Sequence, residues 1–332
     1  MADKIRVGFI GSGGIAVHHA IQLLTTAGDL GEIVALADPS EQSLAHMKEK
    51  RPDLANVPTF SDHRQMLAQV PMDAVEIHSP HNAHTQQILD SLDKGLHVLC
   101  EKPLSSTVAD SRRVIAKRDE TGKILMVSYQ RHFQPMYRYI REQIQTGALG
   151  EVQTVVVMMA QEWLRATRGA WRQDPALSLG GQLNDSGSHL VDMFLWTTGL
   201  QAKKVYAEIN NFDAKVDIDS TLTVRFTNGA IGNVTVLGNA PQGFWELFGV
   251  WGSKGSIIYD MLHGLRQQMF DQPEQNLEFP KPDNNADLNF LRAILGQEEI
   301  QVPPECGLRV SELTEAAWRS AAQGRAIEVS EM

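Results

Sequence analysis

The sequence predicts an α/β protein: an N-terminal Rossmann-type, doubly wound parallel sheet, then an α+β half with a large, open, mainly antiparallel sheet. Three observations predict it. Short β-branched runs alternate with helix-length segments as far as residue 127. A glycine-rich turn, Gly11–Ala16, joins the first run to the first helical segment. Beyond residue 150, strand-like runs succeed one another directly, which predicts antiparallel pairing. At about 150 residues per domain, a chain of 332 holds two, placed at 1–128 and 129–332.

In the first half, strands are expected at 5–10, 32–38, 58–60, 73–78, 96–100 and 124–127, several of them almost wholly apolar, as strands covered on both faces must be. Helices are expected at 15–27, 40–51, 62–70, 81–94 and 107–121, where the runs are long enough. A further helix near 135–146 precedes strands at 151–163, 205–212, 218–227, 230–239, 244–251 and 256–259. Asn228-Gly229 predicts a hairpin with positive φ at both turn positions. The polar stretch 271–286 reads as a surface loop or arm, and 288–295 and 308–323 as helices.

Composition narrows the function classes. Thirty Lys and Arg stand against 40 Asp and Glu, a net charge of −10, and no basic stripe offers a footing for nucleic acid. Cys100 and Cys306 are too few for a disulfide framework. The longest apolar run, 155–160, falls far short of the roughly 20 residues of a membrane span. The opening MADKIRVGFIG lacks a signal-peptide core, so a cytoplasmic location is expected.

The run 5–10 leads into Gly11-Ser12-Gly13-Gly14-Ile15-Ala16, a dinucleotide fingerprint in its proper context. Gly11 permits the tight turn, Gly13 admits a pyrophosphate to the helix N-terminus, and Ala16 allows close packing of helix on strand. Asp38, ending the second run, is placed to accept from the ribose hydroxyls; its charge opposes a 2′-phosphate, so NAD is preferred to NADP. The other reading makes Asp38 a helix cap.

Carboxyl ends of strands in such sheets face the ligand, which directs Lys102 of Cys100-Glu101-Lys102-Pro103 toward the nicotinamide. In the second half, Asp185, His189 and Asp192 follow at i, i+4 and i+7 on one helix face, beside an apolar stripe of Leu183, Leu190 and Phe194. Histidine is the natural acceptor for an alcohol proton. His78, His81 and His84 recur every third residue at a strand-to-helix turn, a spacing that does not converge on one ion, so no metal is expected. Trp163, Arg168, Trp171 and Arg172 precede the Asp185 segment and suit a sugar ring or an acidic sugar, though Trp171 fits a core cap equally well.

These motifs resemble the glucose–fructose oxidoreductase / inositol dehydrogenase family over nearly the whole chain. The resemblance rests on Gly11–Ala16, Pro80–His84, Gly95–Pro103, Arg131–Phe133, Trp171-Arg172, Gly180–Asp192, Gly252–Gly255 and Ala321–Arg325. Leu179 departs from it, standing where many members carry another glycine. The resemblance implies catalysis by Lys102, Asp185 and His189, which also contact substrate. It brings Ser79, Pro80, Asn82, His84, Glu101 and Lys102 to the cofactor beside the glycine loop. The expected activity is hydride transfer between NAD and a secondary hydroxyl of a sugar, cyclic polyol or sugar derivative. Two other readings stay open: glycoside cleavage through transient oxidation and elimination, and a non-catalytic dinucleotide-binding regulator.

The run 154–160 is apolar on both faces, Thr154, Val156, Met158 and Ala160 on one and Val155, Val157 and Met159 on the other. One face packs on helices of its own domain. The second needs a cover, and a homodimer or homotetramer through this sheet is expected, the other reading being that residues 271–300 fold back over it.

Overall fold

A computed structural model describes residues 4–241 and 243–332; the leading Met1–Asp3 of the N-terminal reading lies outside them. By contact the chain divides into two units, Met1–Ser105, Ala109–Gln130 and Asp283–Gly307 forming the first, and Ser106–Val108, Arg131–Pro282 and Leu308–Met332 the second.

In the first unit, β1 (Ile5–Ile10), β2 (Gly31–Ala37), β3 (Thr59–Phe60), β4 (Ala74–Ile77), β5 (His97–Cys100) and β6 (Leu125–Val127) form a parallel sheet in the order β3-β2-β1-β4-β5-β6. The order reverses beside β1, the switch point where such sheets take ligands. Between the strands run α1 (Gly14–Thr26), α2 (Glu41–Lys50), α3 (His63–Gln69), α4 (His81–Asp93) and α5 (Val108–Thr121). Val7, Phe9, Leu36, Val75, Ile77, Val98 and Leu99 are fully buried, so both sheet faces are covered, as their unbroken apolarity requires.

The second unit opens with α6 (Pro135–Gln145) and β7 (Val152–Ala160), followed by two single-turn helices, α7 (Trp163–Ala166) and α8 (Pro175–Ser178), and then α9 (Ser186–Thr198). There follow β8 (Ala202–Asn210), β9 (Asp219–Phe226), β10 (Ile231–Leu237), β11 (Trp245–Gly252), β12 (Gly255–Asp260), β13 (Gly264–Met269) and β14 (Gln275–Leu277). Helix α10 (Ala286–Ile294) returns to the first unit; α11 (Pro304–Gln323) and β15 (Ile327–Glu328) close the chain. Among the described residues nine strands form one sheet, β14-β13-β12-β11-β7-β10-β9-β8-β15.

The sheet is mainly antiparallel, as expected, with one parallel pair: β7 is central and pairs parallel with β10 while β11 flanks it antiparallel. Strand succession reports only on neighbours in sequence, and β7 reaches its partners across intervening helices. Three sequence expectations need correction here. At the Asn228-Gly229 turn only Gly229 has positive φ (90°); the Asn228 side chain instead accepts from the Ala230 amide and tightens the bend. The stretch 271–286 is not all loop: β14 pairs with β13, extending the sheet at its edge. The Trp163 end of the first long run is helix α7, since the backbone turns after Ala160.

Helices α6 and α9 pack together, and α9 lies on β7 and β10. Val155, Val157 and Met159 face this cover and are buried, whereas Thr154, Val156 and Met158 on the opposite face stay half-buried. Ala160, expected with the open face, is buried. No helix among the described residues is long and apolar enough to cross a membrane.

Candidate active site

In the first unit the glycine loop is built for close approach. Gly11 takes φ 95°, and a Cβ there would meet the His78 carbonyl at 2.9 Å, so only glycine fits between β1 and β4. A Cβ on Gly13 or Gly14 would meet nothing, leaving room over the N-terminus of α1, where an anion is held by amides and the helix dipole. Ala16 is buried and Ile15 is exposed on the following turn. Asp38 is not the cap of α2; that cap is Ser40, which accepts from the Ser43 amide. The Asp38 carboxylate accepts from the Ser12 amide at 2.8 Å and the Ser40 amide at 2.8 Å, bracing the glycine loop against the end of β2.

Farther along the same sheet edge, the His84 ring sits between the carbonyls of Ser79 (2.9 Å) and Pro103 (2.8 Å), tying the start of α4 to the turn after β5. Burial pushes this imidazole down, against the two carbonyls, which favour the protonated ring. Ser79 donates to Gln87, Pro80 caps α4, and Asn82 is exposed on its first turn. Glu101 is buried, and its Oε2 accepts from the Lys102 amide at 3.2 Å. The three histidines do not act as a set. His78 packs on Phe9 and His19, and His81 lies edge-on to His84.

In the second unit the segment 179–185 leads to Asp185, which the sequence singled out. Leu179 caps α8 in the left-handed region (φ 52°), and Gly180 follows at φ 154° against the Trp318 ring. Gly181 passes so close to Asp217 that a Cβ would lie 2.0 Å from its carbonyl. Asp217, which the sequence reading did not single out, is buried and clamps this segment. It accepts from the Gly181 amide at 2.8 Å, the Leu183 amide at 2.7 Å and Trp318 Nε1 at 3.1 Å. Burial raises its proton affinity, and these donors work to hold it ionised.

The clamp delivers Asp185 to the N-terminus of α9. It occupies the cap position, yet its side chain makes no capping bond. The carboxylate is buried and accepts instead from Trp163 Nε1 at 2.9 Å and Arg172 Nε at 3.0 Å, with the Arg172 guanidinium stacked 4.6 Å over Trp171. Trp163 is itself buried with Leu164, Val216 and Ile218, which makes it a support for Asp185. Arg168 stands apart, exposed and paired with Asp213. His189, half-buried, lies one turn along α9 from Asp185. Asp192 does not continue that polar line: it is buried and bonded to His132 at 2.8 Å.

A family model described as the NAD-binding Rossmann fold of an oxidoreductase family, GFO/IDH/MocA, matches residues 5–129, and the model of that family's C-terminal domain matches residues 137–258. The chain belongs to the GFO/IDH/MocA oxidoreductases. Within the curated members of the family it is 27% identical to a myo-inositol 2-dehydrogenase of Thermotoga maritima, over 99% of each chain. It is 31% identical to a D-glucoside 3-dehydrogenase of Escherichia coli, over 61% of this chain and 56% of that one. The solved levoglucosan dehydrogenase in complex with NADH superposes with a TM-score of 0.88 at 20% identity, covering 98% of this chain and 99% of that one. The GFO/IDH/MocA assignment makes the protein an NAD-binding oxidoreductase. The open approach above Gly13 and Gly14 and the buried Ser12 hydroxyl, for which the protein supplies no hydrogen-bond partner, fit a bound pyrophosphate.

Proposed function

We propose that this chain dehydrogenates a secondary hydroxyl of a sugar or cyclic polyol, with Lys102, Asp185 and His189 acting on that hydroxyl. The observation that carries the reading is the Asp185 carboxylate, buried on Trp163 and Arg172 one helical turn from His189, in a chain whose first unit is an NAD-binding domain. The names of the inositol, glucoside and levoglucosan dehydrogenases it resembles support the substrate class.

Gly11, Ser12, Gly13, Gly14, Ile15 and Ala16 would hold the pyrophosphate and Asp38 the adenosine ribose. Ser79, Pro80, Asn82, His84, Glu101 and Lys102 would hold the nicotinamide half. NAD, when bound, supplies the hydride acceptor. His189 takes the hydroxyl proton as the C–H electron pair departs as hydride, leaving a ketone. The Lys102 ammonium holds the reacting oxygen and stabilises the charge that builds on it. Asp185, fixed by two donors, orients substrate and histidine. Trp171 and Arg172 would line the sugar, Trp163 serves from behind, and Arg168 lies at the margin.

The test is a screen for NAD reduction over inositols, aldoses, glucosides, sugar acids and anhydrosugars. NADH accumulating in proportion to one of these classes is expected. Release of a leaving group without net NADH would replace dehydrogenation by oxidation-assisted elimination, and dinucleotide binding without turnover across the screen would leave a regulator.

We also infer a homo-oligomer through the open face of the large sheet. Val156 and Met158 of β7, Leu247 and Trp251 of β11 and Ile258 of β12 line it as half-buried apolar side chains in register, a surface that a single chain rarely leaves to water.

A further inference from the structure

Helix α1 buries Ala16, Ala20 and Leu23 on one face, and in the middle of that face stands His19, fully buried. An aliphatic residue would serve packing better. The ring instead meets a carboxylate at each end: Nδ1 lies 2.9 Å from Asp287 of α10, and Nε2 lies 3.0 Å from Glu101 at the end of β5. Glu76 of β4, His78 just after it and the Ser128 hydroxyl also surround it, at 3.8 Å, with ring centres 4.5 Å apart, and at 3.4 Å.

A neutral imidazole has one N–H and can donate to only one of two carboxylates; a ring with both protons donates to both. Burial opposes that charge, but Asp287 and Glu101 outweigh it and raise the proton affinity of His19 well above the ordinary value. Glu76 is pushed well up by burial and by Asp287, and His78 well down by burial and by His19, so each is driven toward its neutral form. A ring protonated on both nitrogens would satisfy both carboxylates in this dry interior. Glu101 is drawn back into the core by its Oε1, while its Oε2 takes the Lys102 amide.

We propose that His19 is a positioning residue for the dehydrogenation, fixing through Glu101 the peptide from which Lys102 departs. The inference rests on Lys102 acting as set out above. It assigns a task to α1 beyond holding phosphate, and it makes α10, through Asp287, a distant support of the same turn.

The experiment compares His19→Leu, His19→Gln and Asp287→Asn with Lys102→Ala, reading the thermal midpoint, NAD affinity, kcat, KM and the pH profile of kcat. His19→Leu should keep KM and NAD affinity within about threefold and lose kcat by about 10–100-fold, the scale of a displaced catalytic group. Its acid limb should move to higher pH, because Glu101 without its cation takes up a proton more readily. His19→Gln, which keeps a donor toward Glu101, should recover most of the rate. In the unaltered protein, nitrogen NMR should find protons on both His19 ring nitrogens at about pH 8, and Asp287→Asn should reduce them to one. A single ring proton there, or a folded His19→Leu with the original kcat and pH profile, overturns the proposal. If His19→Leu does not fold, the ring signature and the kcat of Asp287→Asn decide in the same way. A Lys102→Ala variant that still turns over instead defeats the active-site reading, whatever His19 does.

Discussion

Asp38 shows how one side chain serves two ends. Its oxygens already brace the Ser12 and Ser40 amides, which would present it pre-oriented to the ribose proposed above. Asp38→Ala should therefore narrow the preference for NAD over NADP, and also weaken both, since two loop amides lose their acceptor. Calorimetric titration with each dinucleotide checks this; an unaltered protein that binds NADP as tightly as NAD removes Asp38 from the discrimination. At the reacting centre, His189→Ala should lower kcat by about 10²–10⁴ with NAD binding nearly intact, and Lys102→Ala should do comparable damage. Wild-type turnover in His189→Ala between about pH 6 and 9 would exclude this histidine as the base. The proposed histidine, lysine and aspartate stand out in the sequence because each follows a recognisable strand or opens a helix. Asp217 and His19 were not, since each acts on residues far away in sequence: Asp217 on an amide 36 positions off, and His19 on a carboxylate 268 positions off. Nothing in the local pattern VDIDS or AVHHA announces such partners.

At the scale of elements, the nucleotide-binding sheet could be read strand by strand, because a βαβ chain must announce each buried strand by an apolar run and each crossover by a helix. The large sheet yielded less. Strand β13, Gly-Leu-Arg-Gln-Gln-Met, is largely polar and sits toward a sheet edge, so no alternation marks it. The parallel pairing of β7 with β10 is a non-local choice that no turn signal encodes. At the cap of α8 sequence and backbone disagree: Leu179 holds φ 52° in a conformation that suits glycine. Leu179→Gly should remove that strain and raise stability by about 0.5–1 kcal/mol, net of the freedom glycine adds to the unfolded chain. Denaturant unfolding measures it. A lower midpoint would mean that the side chain's contacts outweigh the backbone cost.

For the whole molecule, the two faces of β7 predict different outcomes. Val157 is covered by helices of its own unit, so a charge there should unfold that unit and says nothing about assembly. Met158 is on the open face, and Met158→Lys should leave the fold intact and reduce the light-scattering mass to that of one chain. An unaltered protein that already scatters as a single chain at micromolar concentration would refute the assembly. The return of residues 283–307 to the first unit has a consequence for synthesis. Asp287, which meets His19 in the core of that unit, is made 157 residues after Gln130, a delay of about 8–30 s at ordinary elongation rates. Until then the nascent nucleotide-binding sheet must wait on the ribosome with α1 uncovered where α10 will lie and a histidine lacking one of its two anions. The N-terminal half therefore emerges first and finishes late, and its completion is timed by the translation of the half that follows it.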